Sequence, residues 1–341
     1  MGVGPNRSYP GFTFDSNGFH CDDLGHGCVL MGTVEFQHFW NALDACFDSP
    51  LGRKLIYAAT DAEERIIGSE DRFKQGRWFG RKRVREALQK RSELMGWGSF
   101  HPEFIAHPAH DALSVGFSLA HREHLDGQRY NVEWRQRSSD AIATTFSEKD
   151  GEMTAPSPPR SPTWSGMHRF PSLSAPLDLE LDVRDSGFYL AEARSMFLPV
   201  DLFHHLFASL CGRPMGGSVQ QIDVAEGTTI DDVSALKAVA HAACTAFEET
   251  DRPIYVQTSS DWSGHLDAHF SHRGFGRVDV DEHVSDGKNV TVFRVQSPVV
   301  PFVLGSLIGM WKRAYGTRVQ STLEHAEHEW ILSLREPSIE Y

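Results

Sequence analysis

The chain has 341 residues, 40% of them hydrophobic and 23% charged, a composition typical of a globular protein long enough for two domains. Its formal net charge of −13 at pH 7 repels phosphate groups, so we expect no nucleic-acid partner. The longest apolar run, residues 299–311, is too short and too interrupted to span a membrane, and the N-terminus lacks the apolar core of a secretion signal. We therefore expect a cytoplasmic protein.

The five cysteines are odd in number and widely spaced, which predicts reduced thiols rather than a disulfide framework. Cys21 and Cys28 lie close to His20 and His26 in the sequence, and this is the one cysteine cluster with metal-ligand chemistry. Because it lacks a CxxC pair, we do not predict a zinc site there.

The first predicted elements are a strand and a helix in residues 27–47, GCVLMGTVEFQHFWNALDACF. Phe39, Leu43 and Cys46 recur at helical spacing, which indicates an amphipathic helix after a short apolar strand. Residues 72–91, RFKQGRWFGRKRVREALQKR, form the one dense basic stretch. Their helix-forming composition favours a helix with a solvated, charged face.

A glycine-marked exit follows this basic helix. The triplet Gly96-Trp97-Gly98 suits a left-handed helix end, with the aromatic residue anchoring the chain to the core. Residues 112–119, ALSVGFSL, are interpreted as a strand that precedes another helix. Residues 126–148 then alternate between apolar and polar side chains around a polar turn, which predicts a terminal β-hairpin.

The segment EMTAPSPPRSPTWSG, residues 152–166, holds four prolines and no apolar periodicity. Such a segment is typical of a linker. It divides the chain into a first domain at residues 1–151 and a second domain at residues 167–341.

The second half repeats the pattern of the first. Residues 187–210 again predict a short strand and an amphipathic helix, with Leu202, Leu206 and Leu210 at helical spacing. The triplet Gly274-Phe275-Gly276 matches the first glycine-marked exit. The remaining predicted elements, in order, are two strands in 277–298, a proline-initiated buried helix in 298–316 and a closing hairpin in 315–336.

Three matched blocks in the same order and at similar spacing predict an internal duplication. The expected fold class is α+β, with two similar domains, each a mixed helix bundle packed on an antiparallel sheet.

These blocks resemble the 4-vinyl reductase family. The residues that carry the resemblance are the exit RGFG, the strand VTVFRVQSP, the helix PFVLGSLIGMWKRAYG and the closing pair TRVQSTLEHAEHEWILSLRE, with fainter copies in MGWG and NVEWRQRSSDAIATTFSE. The family is a small-molecule-binding domain of xylene- and phenol-responsive bacterial regulators and of a bacteriochlorophyll-pathway protein. It is related in fold to vesicle-tethering TRAPP subunits and to the haem-NO-binding domain.

The resemblance implies ligand binding and dimerisation through helices. Family members often hold zinc through cysteines around the last helix and the closing hairpin. This sequence departs from that pattern, because no cysteine lies beyond Cys244. The family's zinc site and the effector role that goes with it are therefore not expected here.

Three histidines form the strongest metal candidate in the sequence. If the chain from Ser263 to Arg273 is helical, His265, His269 and His272 lie on one face, close enough together for a zinc or iron ion. The same spacing also suits a helix face that packs on a neighbour, and the motif lacks the glutamate of HExxH. Both interpretations stay open from the sequence.

Aromatic residues of the second half suggest a binding cavity. Phe302, Trp311 and Trp330 fall on the predicted last helix and closing hairpin, where they are positioned to line an apolar pocket between helix and sheet. We expect a small apolar ligand in this pocket.

The sequence favours a non-catalytic ligand-binding or scaffold protein that acts as an accessory through a protein partner, including a second copy of itself. No GxGxxG, P-loop or GxSxG motif is present. One alternative is an enzyme or maturation factor that binds zinc, iron or a tetrapyrrole. A second alternative is a structural subunit of a larger assembly.

Overall fold

A computed structural model describes residues 11–75, 80–154, 156–167, 175–177, 179, 181–190, 192–285, 288–326 and 329–337. The elements of the first half are β1 Thr13–Phe14, β2 His20–Cys21, β3 Gly27–Gly32, α1 Thr33–Ala45, α2 Lys54–Ser69, α3 Gly80–Leu94, β4 Ser99–Phe100, β5 Phe104–Ala106, α4 Asp111–Asp126, β6 Tyr130–Ser138 and β7 Ala141–Glu148.

The second half begins with β8 Ala175–Pro176, β9 Asp182–Arg184 and β10 Gly187–Leu190. It continues with β11 Ala193–Pro199, α5 Val200–Leu210, β12 Asp223–Val224, α6 Val233–Glu248, α7 Ser259–His269, β13 Arg277–Ser285, β14 Lys288–Gln296, α8 Val300–Tyr315, β15 Gln320–Ala326 and β16 Glu329–Arg335. Helices alternate with antiparallel sheets, so the predicted α+β class is confirmed.

Three sheets organise the described residues. The first half has the strand order β4-β5-β7-β6, and the second half has the same order in β13-β14-β16-β15, with β12 added beside β15. The third sheet, β8-β1-β2-β3-β11-β10-β9, takes strands from both halves. Among the described strands, only the β12–β15 pair is parallel and the other pairs are antiparallel.

The join between the halves is the pair β3 and β11. Leu30 lies opposite Phe197, and each of these residues stands six positions before a buried phenylalanine of the following helix, Phe36 or Phe203. Equivalent positions of the two predicted repeats therefore face each other in this antiparallel pair.

Glycines bring the helices of each half into close contact. Gly116 of α4 packs against α2, where an added Cβ would lie 2.6 Å from the carbonyl oxygen of Ile56. Gly305 of α8 occupies the matching position against α6, where a Cβ would overlap the carbonyl oxygen of Ala240. In addition α1 packs on α6 and α2 packs on α5, so one hydrophobic core extends through both halves.

Most of the predicted elements are present. The helices after the two apolar strands are α1 and α5, the closing hairpins are β6–β7 and β15–β16, and the proline-initiated helix is α8. Gly96 and Gly274 both have positive φ, +77° and +82°, as the predicted helix exits require. The domain boundaries and the duplication as an event stay predictions, although the two halves repeat the same order of elements.

The predicted strand at residues 112–119 is wrong, because this segment is part of helix α4. The segment from Leu113 to His121 is buried on all sides, so it shows neither a clear helical period nor a clear strand period. The helix begins at His110, whose Nδ1 accepts a hydrogen bond from the backbone N of Leu113.

The end of the proline-rich segment, from Thr163 to Gly166, is held against the second half. Trp164 lies in a 3₁₀ turn, is fully buried, and donates its indole N–H to the backbone oxygen of Asp231. Its ring packs at 5.7 Å from that of Phe207 in α5. Along the described part of the chain, no helix combines the length and the apolar character needed to cross a membrane.

Candidate functional site

A cleft of about 480 Å³ lies where the β1–β2 hairpin of the first half meets the end of α7 in the second half. We call it the His20 cleft. Its apolar wall consists of Phe14, Leu177, Leu179 and Leu190. Its polar wall consists of His20, Asp267, His272 and Arg273.

Glycines allow the two halves to approach each other at this cleft. Gly274 has φ +82°, and a Cβ there would lie 2.6 Å from the carbonyl oxygen of Cys28 and 3.0 Å from Cγ of His20. The backbone N of Gly276 donates to the backbone oxygen of Gly18 over 3.0 Å. The exit RGFG is therefore the surface on which the hairpin carrying His20 rests.

His20 is the least satisfied polar side chain of the cleft. It is only 1% exposed, and its Nδ1 has no hydrogen-bond partner in the part of the chain that the structure describes. Burial, with a smaller effect of nearby His272, lowers the pKa of His20 to about 4, so the ring is neutral at pH 7. A buried polar atom without a partner destabilises the protein, and a polar group of a bound ligand would relieve that cost.

Arg273 links the cleft to the first half. Its Nε donates to the backbone oxygen of Leu30 at 3.0 Å, and its two terminal nitrogens lie 3.2 and 2.7 Å from the carboxylate oxygens of Glu35 in α1. Burial opposes ionisation of Glu35, but Arg273 and Arg252 together hold its pKa below the usual value. The wall of the cleft is thus attached to the helix bundle by a charged pair.

The predicted metal ligands do not share one site. His272 is exposed and lines the His20 cleft. The Nε2 of His265 lies 3.2 Å from the backbone oxygen of Tyr255, and the Nδ1 of His269 lies 3.3 Å from the guanidinium of Arg252. Burial first, and then the charge of Arg252, lowers the pKa of His269 to about 3. The described residues contain no group of three or more ligands suited to a metal ion.

The three aromatic residues predicted to line a pocket lie in different surroundings. Phe302 is buried and stacks on the ring of Phe275, with centroids 4.9 Å apart. Trp311 is buried and donates its indole N–H to Oγ1 of Thr291 at 3.1 Å. Of the three, only Trp330 lines a described cavity, a separate one of about 400 Å³.

A buried charged cluster in the first half was not expected from the sequence. Arg91 belongs to the basic stretch predicted to be solvated, yet it is 1% exposed and contacts Glu63, Asp22 and the ring of Trp97. A signal for this burial exists, because Arg91 follows Leu88 on the apolar face of α3 at helical spacing.

From the sequence, His20 was considered only as a neighbour of Cys21 in a weak metal cluster and not as a residue of a ligand cleft, although a signal for the cleft exists. The dipeptide Gly18-Phe19 before His20 recurs as Gly187-Phe188 at the start of β10. Phe188 packs against Gly96, the exit glycine of the first half, beside a cavity of about 400 Å³. Comparing the two halves at these positions would have predicted a hairpin resting on each glycine-marked exit.

We expect the protein to lose stability as the pH falls from 7 to 5. Burial lowers the pKa of His20, and likewise that of His110 and His205, each to about 4. Below the histidine pKa of the unfolded chain, near 6.5, the unfolded chain therefore takes up protons that the folded chain does not. At pH 5 this lowers the free energy of unfolding by about 2 kcal/mol for a histidine such as His20. Guanidinium unfolding at both pH values measures this loss.

The control for this pH effect is His20→Leu, which should make the loss between pH 7 and pH 5 smaller. An unchanged or increased free energy of unfolding at pH 5 would show that these histidines do not stay neutral in the folded protein. Carboxylates contribute little in this window because their unfolded pKa values lie lower.

The comparisons with known proteins give no family. No protein-family model matches the chain, and neither a curated protein nor a solved structure has significant similarity to it. The resemblance to the 4-vinyl reductase family therefore stays a hypothesis about this chain.

Proposed function

We propose that this protein is a non-catalytic binding protein of two 4-vinyl-reductase-like halves, which holds a small, largely apolar molecule in the His20 cleft and acts through a protein partner. The observation that carries the proposal is the buried, unpartnered Nδ1 of His20 in a cleft with an apolar wall. Known ligand pockets of roughly 300–1,000 Å³ combine apolar walls with a few polar groups in the same way.

The cleft favours a ligand that donates a hydrogen bond. The backbone of Ser271 forms a hydrogen bond with His20 that raises its pKa, which is the effect of a carbonyl accepting the ring N–H. We assign this N–H to Nε2, so that in the proposed tautomer the unpartnered Nδ1 carries the lone pair and accepts. A hydroxyl or N–H group on the ligand meets this requirement.

The polar groups of the cleft suit binding better than catalysis. Arg273 is engaged by Glu35, and the carboxylate of Asp15 accepts hydrogen bonds from the backbone N of Asn17 and of Phe19. Among the described cleft residues, no serine hydroxyl or cysteine thiol is hydrogen-bonded to a histidine ring, so the arrangement of an activated nucleophile is missing there.

Two probes that share a naphthalene ring and differ by a methyl group on the oxygen test this function. 2-Naphthol carries a hydroxyl donor, whereas 2-methoxynaphthalene has only an acceptor. In calorimetric titrations we expect 2-naphthol to bind about tenfold more tightly, the value of one hydrogen bond of about 1.4 kcal/mol. His20→Leu should abolish this preference while leaving the protein folded.

The matched control is His265→Leu, which removes a histidine of α7 whose ring is hydrogen-bonded to the backbone of Tyr255 and does not line the His20 cleft. It should retain the preference for 2-naphthol. Equal affinity for the two probes, or a preference that survives His20→Leu, would refute the proposed site.

A further inference from the structure

The outer strand of the first-half sheet differs from its counterpart in the second half. β6 is the edge strand, and among the described strands only β7 pairs with it. The matching strand β15 pairs with β16 on one side and with β12 on the other. One sheet edge is therefore covered by a strand, and its counterpart has no described strand beside it.

The covering strand shows what this sheet edge accepts. β12 runs parallel to β15, with Val224 opposite Leu323, and the backbone N of Ala225 donates to the oxygen of Leu323 at 2.9 Å. The hydroxyl of Ser321 donates to the oxygen of Gln221 at 2.6 Å. The preceding Ile222 is buried, so the segment adds both backbone hydrogen bonds and an apolar anchor.

The first half presents the matching surface without the covering segment. Trp134 of β6 and Leu323 of β15 both stand seven residues after a left-handed helix-end glycine, Gly127 or Gly316. Leu323 is buried, whereas Trp134 stays partly exposed with the guanidinium of Arg53 5.5 Å from its ring.

Chain length explains the difference between the halves. The second half has residues 211–232 between α5 and α6, and β12 lies within them. The first half has only residues 46–53 between α1 and α2, and none of them forms a strand. The shorter connection supplies no segment to cover β6.

Charge indicates what kind of segment fits the edge. β6 exposes Arg135 and Arg137 beyond Trp134. The covering segment of the second half follows its buried Ile222 with the acidic residues Asp223 and Glu226. In the register of β12, Val224 would lie opposite Trp134 and Asp223 opposite the exposed Glu133. A segment shifted by two residues from that register would instead place its isoleucine on Trp134 and the following aspartate opposite Arg135.

The far end of β6 is less suited to pairing. A bulge between Gln136 and Ser138 interrupts its register with β7. Bulges and charged side chains are the usual means of protecting an edge strand from adding further strands. The part left for a new strand is the regular stretch from Tyr130 to Arg135.

We propose that the β6 edge binds an extended acidic-apolar segment of a partner protein, added in parallel as β12 adds to β15. This inference concerns how the protein contacts its partner and does not depend on the His20 cleft. Backbone pairing would supply the affinity, while Trp134 and the arginines would select the segment.

The test uses the full-length protein and a synthetic peptide, SVQQIDVAEG, which is the sequence of residues 218–227. Amide hydrogen exchange is followed with and without the peptide at concentrations up to about 1 mM. We expect amides between Tyr130 and Arg135 to exchange about tenfold more slowly when the peptide is bound. The Trp134 fluorescence should shift to the blue as its ring is covered.

Charge-reversal variants provide the matched controls. Arg135→Glu with Arg137→Glu should weaken peptide binding at least about tenfold, because two attractive contacts become repulsive. Arg83→Glu with Arg85→Glu makes the same change of charge on α3 and should leave binding unaltered. A peptide with aspartate in place of its isoleucine should not bind.

Three results would overturn the proposal. The first is no change in β6 exchange at the highest peptide concentration. The second is altered exchange in Gln320–Ala326 instead, which would mean that the peptide replaces β12. The third is protection of β6 that rises with protein concentration in the absence of peptide, which would assign the edge to a second copy of the chain.

Discussion

Arg91→Ala should lower the free energy of unfolding by about 3–5 kcal/mol, the loss typical when one partner of a buried ion pair is removed. The guanidinium of Arg91 lies at 2.8 and 3.1 Å from the two carboxylate oxygens of Glu63 and at 2.9 Å from Oδ2 of Asp22. His121 adds a hydrogen bond to Glu63 at 2.9 Å. Both carboxylates are almost inaccessible to water, so the variant would leave them buried without their cation.

The charge state of this cluster explains the size of the effect. Burial opposes the ionisation of Glu63, but Arg91 and His121 more than offset it and hold the pKa of Glu63 below its usual value. Without Arg91, the effect of burial, which raises the pKa of Glu63, would no longer be offset by the arginine that opposes it most strongly. Glu63 would then either stay charged at a high free energy or take up a proton.

Guanidinium unfolding of the purified variants measures this effect. Arg184→Ala is the control, since Arg184 forms ion pairs on the exposed surface and its loss should leave the unfolding midpoint unchanged. The double variant Arg91→Ala with Glu63→Ala should lose less stability than the sum of the single variants, because the two residues are coupled. A loss below about 1 kcal/mol for Arg91→Ala would contradict the buried cluster.

Gly305→Ala should destabilise the protein by at least about 2 kcal/mol, although alanine favours helices more than glycine by about 1 kcal/mol. The new methyl group would overlap the carbonyl oxygen of Ala240 and lie 2.7 Å from its carbon. These are backbone atoms of α6, so relief requires the two helices to move apart. The matching variant Gly116→Ala, facing Ile56 of α2, should also destabilise.

Gly68→Ala is the control for this pair of variants. Gly68 lies near the end of α2, and apart from the adjoining backbone of its own helix no described atom lies within 4 Å of where its Cβ would be. It should leave the stability unchanged or raise it by up to about 1 kcal/mol. If Gly305→Ala proved neutral or stabilising in the same unfolding assay, the close packing of α8 on α6 would be incorrect.

Local patterns predicted the elements of this fold better than they predicted the site. Periodicity and glycine signals were sufficient for α1, α5, α8 and both closing hairpins, because each of these has one apolar face or a distinct end signal. The strand predicted at residues 112–119 was wrong because a segment buried on all sides has no hydrophobic periodicity from which to recognise a helix. The prediction of a solvated Arg91 was wrong because it relied on the charge of the side chain. The position of Arg91 on the apolar face of α3 indicates burial.

The candidate site was beyond local patterns because it forms between the halves. His20 comes from a two-residue strand of the first half, and the surface it rests on comes from the RGFG exit of the second half. Phe302 and Trp311, which the sequence places at a pocket, are both buried on α8, a helix apolar enough to pack on nearly all sides. The predicted histidines of α7 turn to separate partners, and only His272 lies at the cleft.

A crystal structure of the protein with bound 2-naphthol is the most direct measurement of ligand binding in the His20 cleft. We expect the ring to lie against Leu177 and Leu179, with its hydroxyl within hydrogen-bond distance, roughly 2.7–3.2 Å, of Nδ1 of His20. Ordered naphthol beside Trp330 and His325, with nothing in the His20 cleft, would contradict this assignment.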